Sequence, residues 1–358
     1  MKPQHKFTYS VLLLLLMATG VSCNQVKPQQ NAINTVVEPP KPKADSFATG
    51  IVIPSVSLQM DGSQSFALYL PKTYTNSLRY PVIIFFDPHG DGTVPLNLYY
   101  SLAEKYGYLL IGSNNSKNGM NFDQTSVIAN NLINEAKTRF SINDKKIAVC
   151  GFSGGAKVAL LNAANNANIS SVIYCGAVIP LQNLTHPLSF LGFAGTKDMN
   201  YTDEVSFNRN LPDNIPHFLI QWDGKHEWTK ADVFENVFTF LQHGTVENYS
   251  KKQASISNEK LAEEQNFKQT LINAFQTENL NWWKNEIAML NSKKKNDGMY
   301  ERLLGFISLA CYSYSGSALQ QNNLAAAEKI LAIYQLADPG NKDCENFLIE
   351  LNRRKVGN

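Results

Sequence analysis

A serine flanked by glycines has the pattern of an activated nucleophile. Residues 151–155 read Gly-Phe-Ser-Gly-Gly, and they lie between an apolar run at 146–150 and a helical pattern at 156–167. A serine at such a strand-to-helix turn is exposed above a helix N-terminus, and glycines beside it avoid steric clash. The sequence therefore predicts Ser153 as a catalytic nucleophile and the N–H of Gly154 as a donor to an oxyanion.

A histidine is needed to accept the proton of that serine, because a hydroxyl alone is a poor nucleophile. In a parallel sheet, functional residues gather beyond the carboxyl ends of the strands. His226 follows the apolar run 217–221 and meets this condition. His186 and His217 directly precede apolar runs, and His243 ends a helical pattern. These positions favour His226 as the general base.

An acid should orient the imidazole and stabilise its charged form. Asp198 comes just after the apolar run that precedes the strand of His226, so it is expected at the same sheet edge. The alternatives nearby in sequence are Asp203, Glu204 and Asp223. The position of Asp198 favours it as the third member, and a surface aspartate that caps the next helix is the competing interpretation.

Strands that alternate with helices must position these residues. Apolar runs and helical patterns alternate over 51–242, which predicts an α/β fold with a doubly wound, mainly parallel sheet. An all-α region follows. The predicted organisation is a signal peptide at 1–22, a flexible tether at 23–50, a sheet domain at 51–250 and a helical domain at 254–358. Within the last, the stretch 300–336, with Ala325-Ala326-Ala327 and the later Pro339, weakly resembles a tetratricopeptide hairpin, and a plain bundle is the alternative.

The order Ser, Asp, His, together with the serine turn, resembles the α/β-hydrolase superfamily. The resemblance rests on residues 151–155, 195–198, 224–226 and the early loop 87–92. Residues 68–71 and 80–83, at the beginning of the domain, look like the esterase branch that includes feruloyl esterases and polyhydroxybutyrate depolymerase-like enzymes. The resemblance implies a serine esterase that works through an acyl-enzyme.

The same resemblance implies that a His-Gly pair after the first long strand shapes the oxyanion hole, here His89 and Gly90, with the N–H of Asp91 as second donor. The chain departs from the family pattern, because Asp87-Pro88 intervenes between the strand and this pair. The Asp91 carboxylate would oppose an oxyanion if it faced inward. The identity of the second donor therefore stays open.

Aromatic residues near the predicted site suggest a pocket for a small-molecule or carbohydrate-linked ester. Trp222, Trp228 and Phe122 are the candidates for substrate contact, and core packing explains them equally well. Two other functions compete with the esterase: a serine peptidase of prolyl-oligopeptidase type, and a non-catalytic scaffold in which the helical domain binds a protein partner. The usual β-propeller of that peptidase family is absent from the sequence, and the set of Ser153, Asp198 and His226 argues against the scaffold.

Composition excludes several other classes of function. Of the 358 residues, 44% are hydrophobic and 17% charged, as in a globular protein, and the net charge of +2 implies no nucleic-acid partner. No cluster of cysteine and histidine suggests a metal, and no cofactor is expected. Disulfide pairing among the four cysteines beyond residue 23 cannot be read from their spacing.

The N-terminal segment has the pattern of an export signal. Lys2 and Lys6 precede the apolar run 11–17, and small residues lead to Cys23. This end resembles a bacterial lipobox, with Gly20 where an aliphatic residue is usual. It predicts lipidation of Cys23 and anchoring in the bacterial cell envelope, with ordinary secretion as the alternative.

Overall fold

The first part of the chain folds around an eight-stranded sheet. The structure is a computed structural model that describes residues 47–181, 184, 186–246 and 256–356. The strands are β1 (Val52–Ser57), β2 (Ser65–Tyr69), β3 (Tyr80–Phe86), β4 (Leu109–Ser113), β5 (Ile142–Phe152), β6 (Ser171–Cys175), β7 (Ser189–Gly195) and β8 (His217–Trp222). Their order across the sheet is β1-β2-β4-β3-β5-β6-β7-β8. Strand β2 runs antiparallel to both of its neighbours, and the other neighbouring pairs are parallel.

The central strands are buried on both faces, which is why they appear in the sequence as continuous apolar runs. In β3, residues 82–86 have no exposed surface. Two clusters of buried side chains, one on each face of the sheet, form the core. The strand order, with its single antiparallel strand, is that of the α/β-hydrolase fold, and the predicted mainly parallel sheet is confirmed.

Among the described residues, six helices accompany the sheet. They are α1 (Thr93–Tyr106), α2 (Phe122–Arg139), α3 (Gly154–Asn165), α4 (Tyr201–Asn210), α5 (Ala231–Phe234) and α6 (Asn236–His243). Helix α2 begins where a capping box forms, because the Asn121 side chain accepts from the Gln124 N–H and the Gln124 side chain accepts from the Asn121 N–H. The helical pattern at 232–242 is divided into two helices at Glu235.

A helical region follows the sheet, as predicted. It comprises α7 (Asn258–Thr277), α8 (Leu280–Lys293), α9 (Gly298–Gln320), α10 (Leu324–Ala337) and α11 (Lys342–Val356). Its core is a separate cluster that includes the fully buried side chains of Trp283, Leu303 and Leu331. The described residues from Phe47 onward pack into a single compact unit. The likeness to a tetratricopeptide hairpin stays a prediction.

Several sequence predictions fall outside the described residues. The signal peptide, Cys23 and all but the last four residues of the tether belong to the first 46 residues, and the boundary between the two domains falls within 247–255. In the described part, no helix is both long and apolar enough to cross a membrane. The thiols of Cys150, Cys175, Cys311 and Cys344 are all buried and free, so none of these four cysteines forms a disulfide.

Candidate active site

The serine turn leaves no room for side chains at Gly151 and Gly155. Ser153 has φ 53° and ψ −121°, a strained conformation for a residue other than glycine. A Cβ on Gly155 would lie 1.9 Å from the Phe86 carbonyl oxygen, and one on Gly151 would lie 2.1 Å from the Gly155 carbonyl oxygen. The glycines therefore let α3 approach β3 and β5, and the serine is held at the carboxyl end of β5.

Ser153, His226 and Asp198 form a continuous hydrogen-bonded chain. The Ser153 Oγ lies 2.9 Å from Nε2 of His226, and Nδ1 of His226 lies 2.9 Å and 3.1 Å from the two carboxylate oxygens of Asp198. A carboxylate accepts only, so the imidazole proton lies on Nδ1 and Nε2 is free to accept from the serine. The three side chains thus have the arrangement needed for proton transfer from the serine.

The acid and the base of this hydrogen-bonded chain differ in how far they are buried. The Asp198 side chain is 2% exposed, whereas that of His226 is 22% exposed. The Asn200 N–H also donates to Oδ1 of Asp198, at 2.8 Å. The ring of Phe152 packs against the imidazole, with centroids 4.7 Å apart. The acid is therefore enclosed and fixed, while the imidazole remains partly exposed.

The loops that carry the acid and the base are bonded to each other. The Thr196 N–H donates to the Trp222 carbonyl and the Lys197 N–H to the Gly224 carbonyl, both at 2.9 Å. The approach is close, since a Cβ on Gly195 would lie 2.7 Å from the Gly224 carbonyl oxygen. These bonds extend the pairing of β7 with β8 beyond the strand ends. They bring Asp198 and His226, which are 28 positions apart in the sequence, into contact.

The alternative acids take other partners. The Asp223 carboxylate pairs with Nζ of Lys197 at 2.7 Å and is 79% exposed. That of Asp203 lies 3.6 Å from Nζ of Lys268. The structure therefore places Asp198, and neither of these two, against the imidazole.

Glu204 lies buried behind the acid. Its Oε1 accepts from the Gly176 N–H at 2.8 Å, and its Oε2 has no hydrogen-bond partner among the described residues. Burial raises the pKa of Glu204 well above its usual range, and the charge of Asp198 raises it further. The Glu204 carboxyl group thus favours its neutral form.

Two of the predicted oxyanion donors are already engaged. The His89 N–H donates to Oδ1 of Asp87 at 2.8 Å, and the Gly90 N–H donates to the Asp87 carbonyl at 3.1 Å. The His89 ring is 82% exposed. The Asp91 carboxylate accepts from the N–H and hydroxyl of Thr93 at the start of α1. The negative charge of the Asp91 carboxylate is therefore bound at the first turn of α1.

Asn118 is a site residue that sequence analysis missed. Its N–H donates to the Pro88 carbonyl at 2.8 Å, and its side chain lies over Gly154 so closely that a Cβ there would be 1.8 Å from Oδ1. It belongs to the loop after β4, at the same sheet edge as Ser153. Its position after a strand was the only signal in the sequence.

The three predicted aromatic contacts lie elsewhere than on the wall of the cavity beside Ser153. Trp222 is buried in the core. Trp228 packs on Phe85, and its Nε1–H donates to the buried Asp87 carboxylate at 2.8 Å. Phe122 is exposed at the start of α2. Their role in substrate binding stays a prediction, and Trp228 has a structural task in satisfying Asp87.

A cavity of about 1480 Å³ opens beside Ser153. It is larger than the roughly 300–1,000 Å³ of an ordinary small-molecule site. Residues 177–181 after β6, together with Phe207 of α4, form an apolar side. Leu309 and Tyr312 of α9, which are 37% and 40% exposed, also line the cavity. The helical region therefore contributes part of the surface that a substrate would contact.

No protein-family model matches the sequence, and no curated protein matches it. Among solved structures, the chain is similar to a hyperthermophilic esterase from the archaeon Pyrobaculum calidifontis, with 11% identity over 56% of this chain and 87% of that one and a TM-score of 0.43. It is also similar to Est1E from Butyrivibrio proteoclasticus, with 13% identity over 53% and 98% and a TM-score of 0.41. A dienelactone hydrolase-like promiscuous phosphotriesterase from metagenomic libraries gives 11% identity over 50% and 92% and a TM-score of 0.42. Likenesses of this size carry no argument about activity.

Proposed function

We propose that this protein is a serine hydrolase that cleaves a carboxylic ester through an acyl-enzyme. The observation that carries the proposal is the chain from Ser153 Oγ to His226 to Asp198, with the contacts at 2.9 Å described above. It supports the proposal because the base is within reach of the nucleophile and is itself oriented by a buried carboxylate.

In the first half-reaction, Ser153 Oγ attacks the ester carbonyl carbon while its proton passes to Nε2 of His226. Asp198 stabilises the imidazolium that results. The oxyanion meets the N–H of Gly154, one of the first groups of α3, which lack partners within the helix. The imidazolium then protonates the leaving alcohol, and an acyl-serine ester remains.

In the second half-reaction, water takes the place of the alcohol. His226 accepts a proton from the water as it attacks the acyl carbon. Collapse of the tetrahedral intermediate releases the carboxylic acid and returns the proton to Ser153. Each good oxyanion donor lowers the barrier by about 3–4 kcal/mol. The N–H of Asp91 remains a candidate for the second donor.

The size and mixed character of the cavity support an ester larger than a simple acetate. The cavity is lined by the apolar residues 177–181 and also by the polar side chains of Asn118 and Asn200. A substrate with both an apolar or aromatic part and hydroxyl groups fits this surface, as in an ester linked to a carbohydrate.

Hydrolysis of p-nitrophenyl acetate by the purified protein, beside its Ser153→Ala variant, tests the proposed reaction. We expect turnover by the wild type and loss to background in the variant, because no other group replaces the nucleophile. Equal rates in both proteins would contradict an esterase for small acyl groups, and a peptide panel would then test the peptidase alternative.

We also propose that the protein is lipid-anchored at Cys23 in the bacterial cell envelope. The support is the charged start, apolar run and small residues before this cysteine. Metabolic labelling with a radioactive fatty acid tests the anchor. We expect label in the wild type and none in Cys23→Ala, and equal labelling of both would contradict it.

A further inference from the structure

The loop that carries Asp198 is held by two cations from the helical region. We call residues 196–200 the acid loop. Nη1 of Arg302, on α9, donates to the Thr196 carbonyl at 2.8 Å. Nζ of Lys268, on α7, donates to the Met199 carbonyl at 2.6 Å. The two carbonyls lie on either side of Asp198, so the helical region grips the acid loop both before and after the acid.

Both cations are themselves fixed by further contacts. The Arg302 side chain is 7% exposed and makes a bidentate pair with the fully buried Glu264 carboxylate, through Nε at 3.0 Å and Nη2 at 2.6 Å. The Lys268 side chain is 9% exposed and also donates to the Thr202 hydroxyl at 3.0 Å. A buried ion pair adds little stability compared with apolar packing of equal volume. The hydrogen bonds that Arg302 and Lys268 donate to the acid loop are therefore a more specific property of these two cations than their contribution to stability.

Two glycines of α9 lie beside this contact with the acid loop. Gly298, Arg302 and Gly305 lie four and then three positions apart, on one face of the helix. A Cβ on Gly298 would lie 3.2 Å from Nη1 of Arg302, and one on Gly305 would lie 3.5 Å from the Met199 Cβ. Arg302 therefore reaches the Thr196 carbonyl across a close contact between helix and loop.

We propose that Arg302 and Lys268 are positioning residues that hold Asp198 against His226, an inference that rests on the proposed esterase function. On its other side, the acid loop is bonded to the loop of His226 through the N–H groups of Thr196 and Lys197. The loop is thus held from two sides. Catalytic groups work only within about 0.5 Å of their productive geometry, so release of one side should misplace the acid.

Lys268→Met and Arg302→Lys test this role. Met keeps most of the apolar stem of Lys268 but cannot donate to Met199. Lys keeps the charge that Glu264 needs but cannot bond Glu264 bidentately and reach Thr196 together. We expect kcat for the ester to fall about 10- to 100-fold with KM nearly unchanged, because a displacement near 1 Å has effects of this size. The acid limb of the pH–rate profile should also move to lower pH, since the imidazolium loses carboxylate support.

Three further variants separate positioning from general stability. Lys268→Arg retains a donor and should recover much of the lost kcat. Lys260→Met changes another cation of α7, one that is 62% exposed and 3.6 Å from Asp297, and should leave kcat unchanged. Leu331→Ala opens the core of the helical region and should lower the melting temperature without a shift in the pH profile.

The low-field proton NMR signal of His226 Nδ1–H provides a readout without turnover. We expect it in the wild type, its loss in Asp198→Asn, and its broadening or shift in Lys268→Met. Wild-type kcat, pH profile and NMR signal in both Lys268→Met and Arg302→Lys would overturn the positioning role. The positioning role would also be overturned if Leu331→Ala reproduced the effects of Lys268→Met and Arg302→Lys on kcat, pH profile and NMR signal. Equal turnover by the wild type and Ser153→Ala would instead contradict the esterase, and the NMR signal would still decide the positioning.

Discussion

Replacement of Asp198 by Asn should nearly abolish turnover while the fold remains intact. The carboxylate lies 2.9 Å and 3.1 Å from Nδ1 of His226 and accepts its proton. The other side-chain contact of Asp198, with the Asn200 N–H, can be kept by the amide oxygen of asparagine. The amide NH₂ then faces the imidazole and donates to Nδ1. The imidazole proton then lies on Nε2 and points at Ser153. Nε2 can therefore no longer accept the proton of the Ser153 hydroxyl.

The loss of kcat should be about 10⁴-fold, as when the corresponding acid of a serine protease triad becomes asparagine. This corresponds to about 5.5 kcal/mol of barrier, at about 1.4 kcal/mol for each tenfold. The assay is p-nitrophenyl ester hydrolysis, with urea unfolding to establish that the variant is folded. Asp223→Asn is the matched control, because its exposed carboxylate pairs with Lys197 at the surface. A folded Asp198→Asn with near wild-type kcat, or a larger loss in Asp223→Asn, would refute the assignment of the acid.

Three more predictions address the turn, the buried carboxyl and the cavity. Gly155→Ala places a Cβ 1.9 Å from the Phe86 carbonyl oxygen and should destabilise the fold by about 1–3 kcal/mol in urea unfolding, whereas Gly62→Ala, with open space around it, should be neutral; equal midpoints would contradict the close packing. Burial raises the folded-state pKa of Glu204, so above the usual value of 4.5 the folded state holds a proton that the unfolded state releases, and stability falls as pH rises above that value. Glu204→Gln cannot ionise, so its stability relative to the wild type should increase as pH rises above that value, and a difference that stays constant with pH would be the opposing result. Tyr312→Ala should lower kcat/KM about tenfold for a bulky naphthyl ester but not for the acetate, and equal losses on both would argue against its place in the cavity wall.

The arrangement of the candidate site was readable because each member follows a strand. Ser153, Asp198 and His226 come after β5, β7 and β8, and parallel strands bring their carboxyl ends to one edge. The apolar runs located those strands within a few residues. The catalytic roles of the three residues stay predictions that the variants above test.

Other elements left weaker signals in the sequence. Strand β1 contains Pro54 and is largely exposed, so it has no apolar run. Helix α4 is mostly polar and was not predicted. Strand β5 starts at Ile142, before the apolar run, because residues 143–146 are polar and mostly exposed.

Long-range contacts of side chains outside this set of three could not be read from the sequence. The bond from Arg302 to the Thr196 carbonyl joins residues 106 positions apart, and no periodicity marks either partner. Trp228 was expected in the pocket, but a buried carboxylate requires a donor, and its indole meets Asp87. Contacts of this kind depend on which segments the fold brings together.

The hydrogen bond from Arg302 of α9 to the acid loop also affects when that loop becomes ordered during synthesis of the protein. A ribosome adds about 5–20 residues per second, so the 106 positions between Thr196 and Arg302 correspond to a delay of about 5–20 s. Once His226 has been added, the nascent chain contains Ser153, Asp198 and His226, but the contact of Arg302 with the acid loop has not yet been made. Under the proposed positioning role, the acid loop would therefore be held from both sides only after the helical region has emerged and docked.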